Sequence, residues 1–447
     1  MLLRLLSALL INLTLISSSH ALSLDDSRHL LSRTGFAPSF TEVQPYKNLS
    51  RQEAVQKRIR DLSHSYDTLD LPYEFSLPYE MPFNAKKATI KERQAFRKEM
   101  RQQTNLLKGH LIKQMIQSNN PFQENLTLFW HNHFVSSSRK VKHPALMANQ
   151  NQTLRQYSSA NFGDFLHAML KDPALIRYLD NQKNRKDKAN ENLARELFEL
   201  FTLGEGHYSE KDVKEAARAL SGYGLKHKTG EFRFLKKQHD SGRKTIFKKT
   251  GNWNAEDLVE LILKQKQTAR FITEKLWNHF VTTPIPHPVL NRLSRDFYDN
   301  YEIRPLLQAI LQQPQFWAAN NRGTKIKDPI NLVVGIYRQF ELNPKNLKPL
   351  IQASASMGQN LLMPPNVKGW NTGTGWINTT TLLARQNVMA KATRGMMIKR
   401  KVKAKNRKPQ EWSDLLLAKN LQQDIPVAND NWQRVNSVLN HINYQLE

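Results

Sequence analysis

Residues 190–222 read NENLARELFELFTLGEGHYSEKDVKEAARALSG, two helical patterns separated by a short polar turn. At about 100° per residue, Glu191, Asn192, Arg195, Glu196, Glu199 and Thr202 fall within an arc of roughly 140°, and nearly all of the remaining circumference from Asn190 to Leu203 is apolar. A helix that apolar is buried on most sides. Its polar arc therefore faces either a strip of solvent or an internal site. In the first case Glu191 with Arg195 and Arg195 with Glu199 form an i,i+4 ladder, worth about 0.2–0.5 kcal/mol per pair on an exposed face. Glu196 has no such partner within the helix, so it is the carboxylate left over for a site.

Working outward, the same grammar of helix starts recurs. Asn120-Pro121 opens Phe122 to Val135, Asn161 opens Phe162 to Lys171, and Asp172-Pro173 opens Ala174 to Leu179. Ser209 with Asp212 and Asn254 with Asp257 read as capping boxes for Glu210 to Leu220 and Ala255 to Lys264. Asp328-Pro329 starts a helix whose apolar face is Leu332, Val333, Ile336, Tyr337 and Phe340. Strand signals are scarce. The exception is the pair EFRFL and KTIFK flanking KKQHDSGR between Gly222 and Gly251, which predicts a β-hairpin. The fold class is mostly α: one large multi-helix domain over 22–390 with a small β-hairpin insertion. A basic segment follows at 391–410, a solvated linker or a surface helix, then C-terminal helices at 411–447, over Glu411 to Leu421 and Trp432 to Leu446.

The first 21 residues read as a secretory signal, with Arg4, an apolar run from Leu5 to Ile16 and Ser19-His20-Ala21 as a small-x-small cleavage site. The run is too short to span a membrane and none like it follows. The chain contains no cysteine, so neither a lipoprotein anchor nor a disulfide framework is available. Its formal charge is +27, and removing the signal with its single Arg4 leaves +26. Such a balance suits polyanions, and export to the periplasm or beyond favours an anionic envelope polymer over nucleic acid.

LFWHNHF at 128–134 carries His131 and His133 at chelate spacing. Residues two apart on a helix point about 200° away from each other, so both rings reach one ion only if the segment is extended. Candidate metal ligands for a divalent ion are His131, His133, Glu191, Glu199, His239 and Asp240, if elements distant in sequence bring them together. Without a metal, Glu196 with His207 serves as acid and base, provided burial or a like charge raises a carboxyl pKa, and Arg195 orients an anionic group. The segment PPNVKGWNTGTGWINTTTLLARQN, Pro364 to Asn387, supplies Lys368, Trp370, Trp376 and Asn378, a set suited to sugar rings unless the indoles plug the core. Serine-hydrolase elbow, P-loop, dinucleotide fingerprint, H-E-x-x-H and cysteine nucleophile are all missing.

LFWHNHF, ALMANQNQTLRQYSSANFGDFLHAMLKDPALIRYLDNQKNRK at 145–186, NENLARELFELFTLG, VKEAARALSGYG at 213–224, HDSGRKT at 239–245, TARFITEKLW at 268–277 and the Pro364 to Asn387 segment together resemble the DUF1800 family. The resemblance runs from about Arg28 to Lys391 and leaves out the basic tail. It implies an exported, mostly helical bacterial protein with a partner of the DUF1501 type, and it supplies no reaction. The family usually has proline and a further glycine where this chain reads HDSGRKTIFKKTGNW, so the turn after His239-Asp240 departs from the pattern. These readings converge on an exported hydrolase of a polyanionic or sugar-containing polymer, using acid–base or metal-assisted chemistry. The alternative is a non-catalytic envelope binder or scaffold.

Overall fold

The computed structural model describes residues 21–62, 71, 75–76, 88–226 and 228–447; all of the expected signal segment except Ala21 lies outside them. The chain is mostly helical, as the punctuation predicts. Asn120 Oδ1 accepts from the Gln123 amide and starts the helix Pro121–His133, while Asn161 and Asp172 cap Phe162–Leu170 and Pro173–Tyr178. The two capping boxes form as read, over Glu210–Ala219 and Ala255–Leu263. In each, a side chain satisfies amides that the first helical turn leaves without a partner.

One continuous core runs from Leu22 to Tyr444. Pro121–His133 lies within it, with Phe122, Leu126 and Trp130 fully buried, and packs against Pro144–Tyr157. Glu124 and Arg155 join these two helices through an ion pair in which both side chains are 1% exposed. Asn125, on the first helix, donates to the Gly35 carbonyl and accepts from His279. No helix among the described residues is long and apolar enough to cross a membrane.

Two expectations are corrected. EFRFL and KTIFK do not pair with each other. Tyr223–Leu225 pairs with Phe232–Phe234, and Lys244–Ile246 pairs separately with Lys249–Gly251. Phe247 and Lys248, both at positive φ, form a two-residue turn whose twist matches the second hairpin, so KTIFK folds back on its own continuation. Of the two readings of 391–410, the helix is the one that forms: the helix Thr379–Arg394 passes through Gly395 into the helix Met396–Ala404, whose Ile398 and Val402 are buried. The last two expected helices are also shorter, Pro409–Leu416 and Asn431–Asn440, each followed by a 3-10 turn. At His441 the backbone turns extended and carries the end of the chain back to residues 325–327, where Glu447 exchanges two main-chain hydrogen bonds with Lys325.

Candidate functional site

The 190–203 segment begins as an α-helix, Asn192–Glu196, and continues as a π-helix over Leu197–Thr202. The Leu203 amide bonds the Phe198 carbonyl at 2.9 Å, and the Thr202 hydroxyl bonds the Leu197 carbonyl at 2.6 Å, both five residues back. Gly204, at φ +86°, then ends the helix in a conformation that disfavours a side chain. The apolar residues of the segment are buried as expected, with Leu193, Leu197, Phe198 and Phe201 fully so. Widening the turn changes the polar arc, and π turns of this kind are frequent at functional sites.

Arg195 keeps the predicted bond to Glu191, at 3.2 Å, but not the one to Glu199. Its other contacts are a bidentate pair with Glu210 from the next helix, at 2.7 and 2.8 Å. Glu199 accepts instead from the Tyr208 hydroxyl at 3.1 Å. Glu196 makes no hydrogen bond or ion pair among the described residues. It is half-buried, and its pKa is raised, first by burial and then by the charge of Glu199, against the opposing influence of Arg195 and Lys368. Tyr178 completes the surroundings: burial and the Glu196 charge both raise its pKa. A carboxyl in this setting holds its proton to higher pH than an ordinary glutamate.

Lys368 reaches this place on a braced loop. The Lys368 amide donates to Asn366 Oδ1 at 2.9 Å, and the Gly369 amide to the Asn366 carbonyl at 3.2 Å. The Trp370 amide donates to Asn132 Oδ1 at 2.6 Å. Gly369, at φ +90°, lies so close to Asn132 that an added Cβ would sit 2.9 Å from the Asn132 carbonyl oxygen. Asn132, the residue between the two histidines, is thus the anchor of the Lys368 loop. The sequence reading passed over it, although its place in LFWHNHF was the available signal.

The histidines diverge as helix geometry requires. The His131 ring lies 5.2 Å from that of Trp370, and burial lowers its pKa to about 4. His133 Nε2 bonds the Phe201 carbonyl at 3.0 Å, and burial, aided by the charge of Lys275, holds it neutral. Lys275, another residue the sequence reading passed over, donates to the Leu200 carbonyl at 3.3 Å and stacks over Phe271. It thereby supplies a donor to a carbonyl at the end of the π turn.

The remaining candidates go elsewhere. His239 Nδ1 bonds the Ser221 carbonyl at 2.9 Å, and Asp240 pairs with Arg218 at 2.7 Å, which lowers its pKa. Asp240 Oδ1 also accepts from the Gly242 amide at 2.8 Å, which shapes the turn after the pair. His207 is exposed beside Tyr208. Among the described residues no three histidine, aspartate or glutamate side chains are grouped to hold a metal ion, so His131, His133, Glu191, Glu199, His239 and Asp240 do not form one centre. Trp370 and Trp376 are each only 4% exposed, so neither offers an indole face to a sugar; both are core. Asn378 caps the helix Thr379–Arg394 by accepting from the Thr381 amide. Glu196, Lys368, Arg195, Glu199, Tyr208 and Tyr178 remain as the assembled set.

No curated protein and no solved structure matches the chain. A model of the DUF1800 family, described as proteins of unknown function, matches residues 29–444. The match extends past Lys391, so the basic tail expected to lie outside the resemblance is part of the family pattern, in keeping with its buried Ile398 and Val402. The chain therefore belongs to the DUF1800 family.

Proposed function

We propose that the protein is exported, to the periplasm or beyond, and acts there as a hydrolase on a polyanionic or sugar-containing polymer, with Glu196 as its proton donor. The observation that carries this reading is the state of Glu196: half-buried, without a hydrogen-bond partner among the described residues, raised in pKa, and faced by Lys368. In hydrolysis the Glu196 proton passes to the leaving oxygen as the bond breaks, and water supplies the hydroxyl to the other fragment. Glu199, oriented by Tyr208, is the second carboxylate and takes the proton of that water. Lys368 attracts the anionic substrate. Arg195 is committed to Glu191 and Glu210 and acts as a positioning residue instead of a substrate ligand. The signal-like N-terminus and the positive charge support export and an anionic substrate.

The test is release of new reducing ends or soluble fragments from purified peptidoglycan and from an anionic polysaccharide. Turnover that falls at least about 10²-fold in Glu196→Gln, with substrate retention unchanged, is the expected result. Equal turnover by the two proteins, or none by the wild type on any polymer, would overturn the reading.

A second reading is a non-catalytic scaffold with a DUF1501-type partner, favoured by the closed ion-pair chain Glu191–Arg195–Glu210 across two helices. It predicts co-purification with that partner that Glu196→Gln leaves intact and Arg195→Ala disrupts.

A further inference from the structure

Between Glu341 and Glu411 the chain carries no aspartate or glutamate, while Lys391, Arg394, Lys399, Arg400, Lys401 and Lys403 follow one another within it. The fold makes a surface of this one-sided stretch. Thr379–Arg394 continues through Gly395 into Met396–Ala404, and Lys348–Ser356 packs against the first of these helices. Between them and Pro329–Gln339 runs a groove of about 500 Å³, lined by Val333, Ile336, Leu350, Val388 and Ile398, with Lys391 among its walls.

Beside the groove, apolar side chains stand in solvent. Met397 contributes to its lining and is 53% exposed, and Met396 is 59% exposed. Leu383, one helix back, is likewise largely exposed. Lys391, Arg394, Arg400, Lys401 and Lys403 are exposed and form no ion pair with any described residue. Among the described residues, Lys399 reaches only the face of Trp432, 6.0 Å away. Leaving neighbouring methionines in water and clustering cations without counter-charges both cost stability, and one class of ligand would offset both.

We infer that this face binds the anionic lipids of a membrane surface, with an acyl chain in the groove and phosphate headgroups against the cations. Charge selects an anionic ligand, and the aliphatic groove with its exposed methionines selects one carrying a hydrocarbon chain; an acyl-free polymer would use the cations alone. The arrangement is that of a peripheral protein lying on the bilayer, consistent with the lack of a helix able to cross it among the described residues. The face shares no residue with the Glu196 site. Glu196→Gln should bind lipid as the wild type does, so failure of either proposal leaves the other standing.

The test is co-sedimentation of the full chain with vesicles of phosphatidylcholine alone and of phosphatidylcholine with phosphatidylglycerol, beside retention on immobilised heparin. Binding should require phosphatidylglycerol and weaken with salt. Since each cation near an anionic surface adds about fivefold, the combined variant Lys399→Gln, Arg400→Gln, Lys401→Gln, Lys403→Gln should bind at least about tenfold more weakly. The combined variant Met396→Ser, Met397→Ser alters only exposed positions and should lose several-fold on vesicles while holding heparin as before. Equal binding to neutral vesicles, or a charge variant that binds like the wild type, would overturn the inference. So would vesicle binding unaffected by the methionine changes, which would reduce the face to a general polyanion binder.

Discussion

Gly369 carries a requirement that a single methyl group tests. At φ +90° an alanine pays about 1–2 kcal/mol for its backbone conformation, as an L-residue does in the left-handed region. Its Cβ would also sit 2.9 Å from the Asn132 carbonyl oxygen, and forcing atoms into a filled space of this kind costs about 1–3 kcal/mol. Gly369→Ala should therefore destabilise the protein by about 2–5 kcal/mol. Gly206 provides the internal control: its φ is +83°, but nothing lies within 4 Å of an added Cβ. Gly206→Ala pays only the backbone part, and the gain from stiffening the unfolded chain is common to both variants and cancels in their difference. Urea unfolding of the two variants, compared at matched m-values, isolates the contact with Asn132. The loop would relieve the clash by moving Lys368 away from Glu196, and because Lys368 lowers the Glu196 pKa, that pKa should rise further. If the two variants lose the same stability to within about 0.5 kcal/mol, Asn132 does not brace this loop and the argument for a fixed Lys368 fails.

Other perturbations probe the remaining parts. Glu124→Ala leaves Arg155 buried without its counter-charge and should cost about 3–5 kcal/mol in urea unfolding, whereas Glu124→Met with Arg155→Leu should recover most of the loss. His131 is neutral in the fold, with its pKa lowered from 6.5 to about 4, so its contribution to stability is complete above pH 6.5 and is lost as pH falls from there toward 4. The melting temperature of His131→Gln should accordingly fall less steeply over that window. For Glu196 the sign reverses: a raised carboxyl pKa makes the native state less stable as pH rises above the ordinary glutamate value of 4.5, and turnover should decline as the proton leaves. Glu196→Gln should flatten the stability profile above pH 4.5, read by urea unfolding across pH. Lys275→Met removes the donor to the Leu200 carbonyl and should cost about 1–3 kcal/mol, read by thermal or urea unfolding.

The helical class was legible because its signals are local. Asn120, Asn161, Asp172, Ser209 and Asn254 each cap the helix their neighbours suggest, and a cap needs only three or four residues of context. Glu196 could be singled out by spacing alone, since no cation stands three or four residues from it on either side. What spacing could not supply was the long-range partner. Glu210 displaces Glu199 from Arg195 because a wide turn intervenes and a second helix returns alongside, and neither is written in the ladder of charges. The same holds for Asn132, whose role depends on a loop 238 residues away in sequence. Trp370 and Trp376 have a composition suited to sugar binding, but burial decides their use, and aromatic residues next to glycine and asparagine look alike in a core plug and in a binding platform. The hairpin error arose similarly: positive φ at Phe247 and Lys248 has no signature in those residue types.

The π turn at Leu197–Thr202 makes the length of the motif part of its chemistry. A turn closed five residues back holds one more residue than an α turn, so the segment behaves as a helix carrying an insertion. Deleting Leu200 would restore the ordinary winding and bring positions 195 and 199 into register. Arg195 would then have a second carboxylate on its own helix to neutralise beside Glu191, Tyr208 would lose its acceptor, and Lys275 would lose the Leu200 carbonyl it binds. The substitution tables by which proteins are usually compared do not score such a change, because no side chain is exchanged. A relative one residue shorter here could keep every named acid and base and still lack the arrangement, so counting residues between Arg195 and Gly204 is a sharper criterion for a shared site than matching their identities.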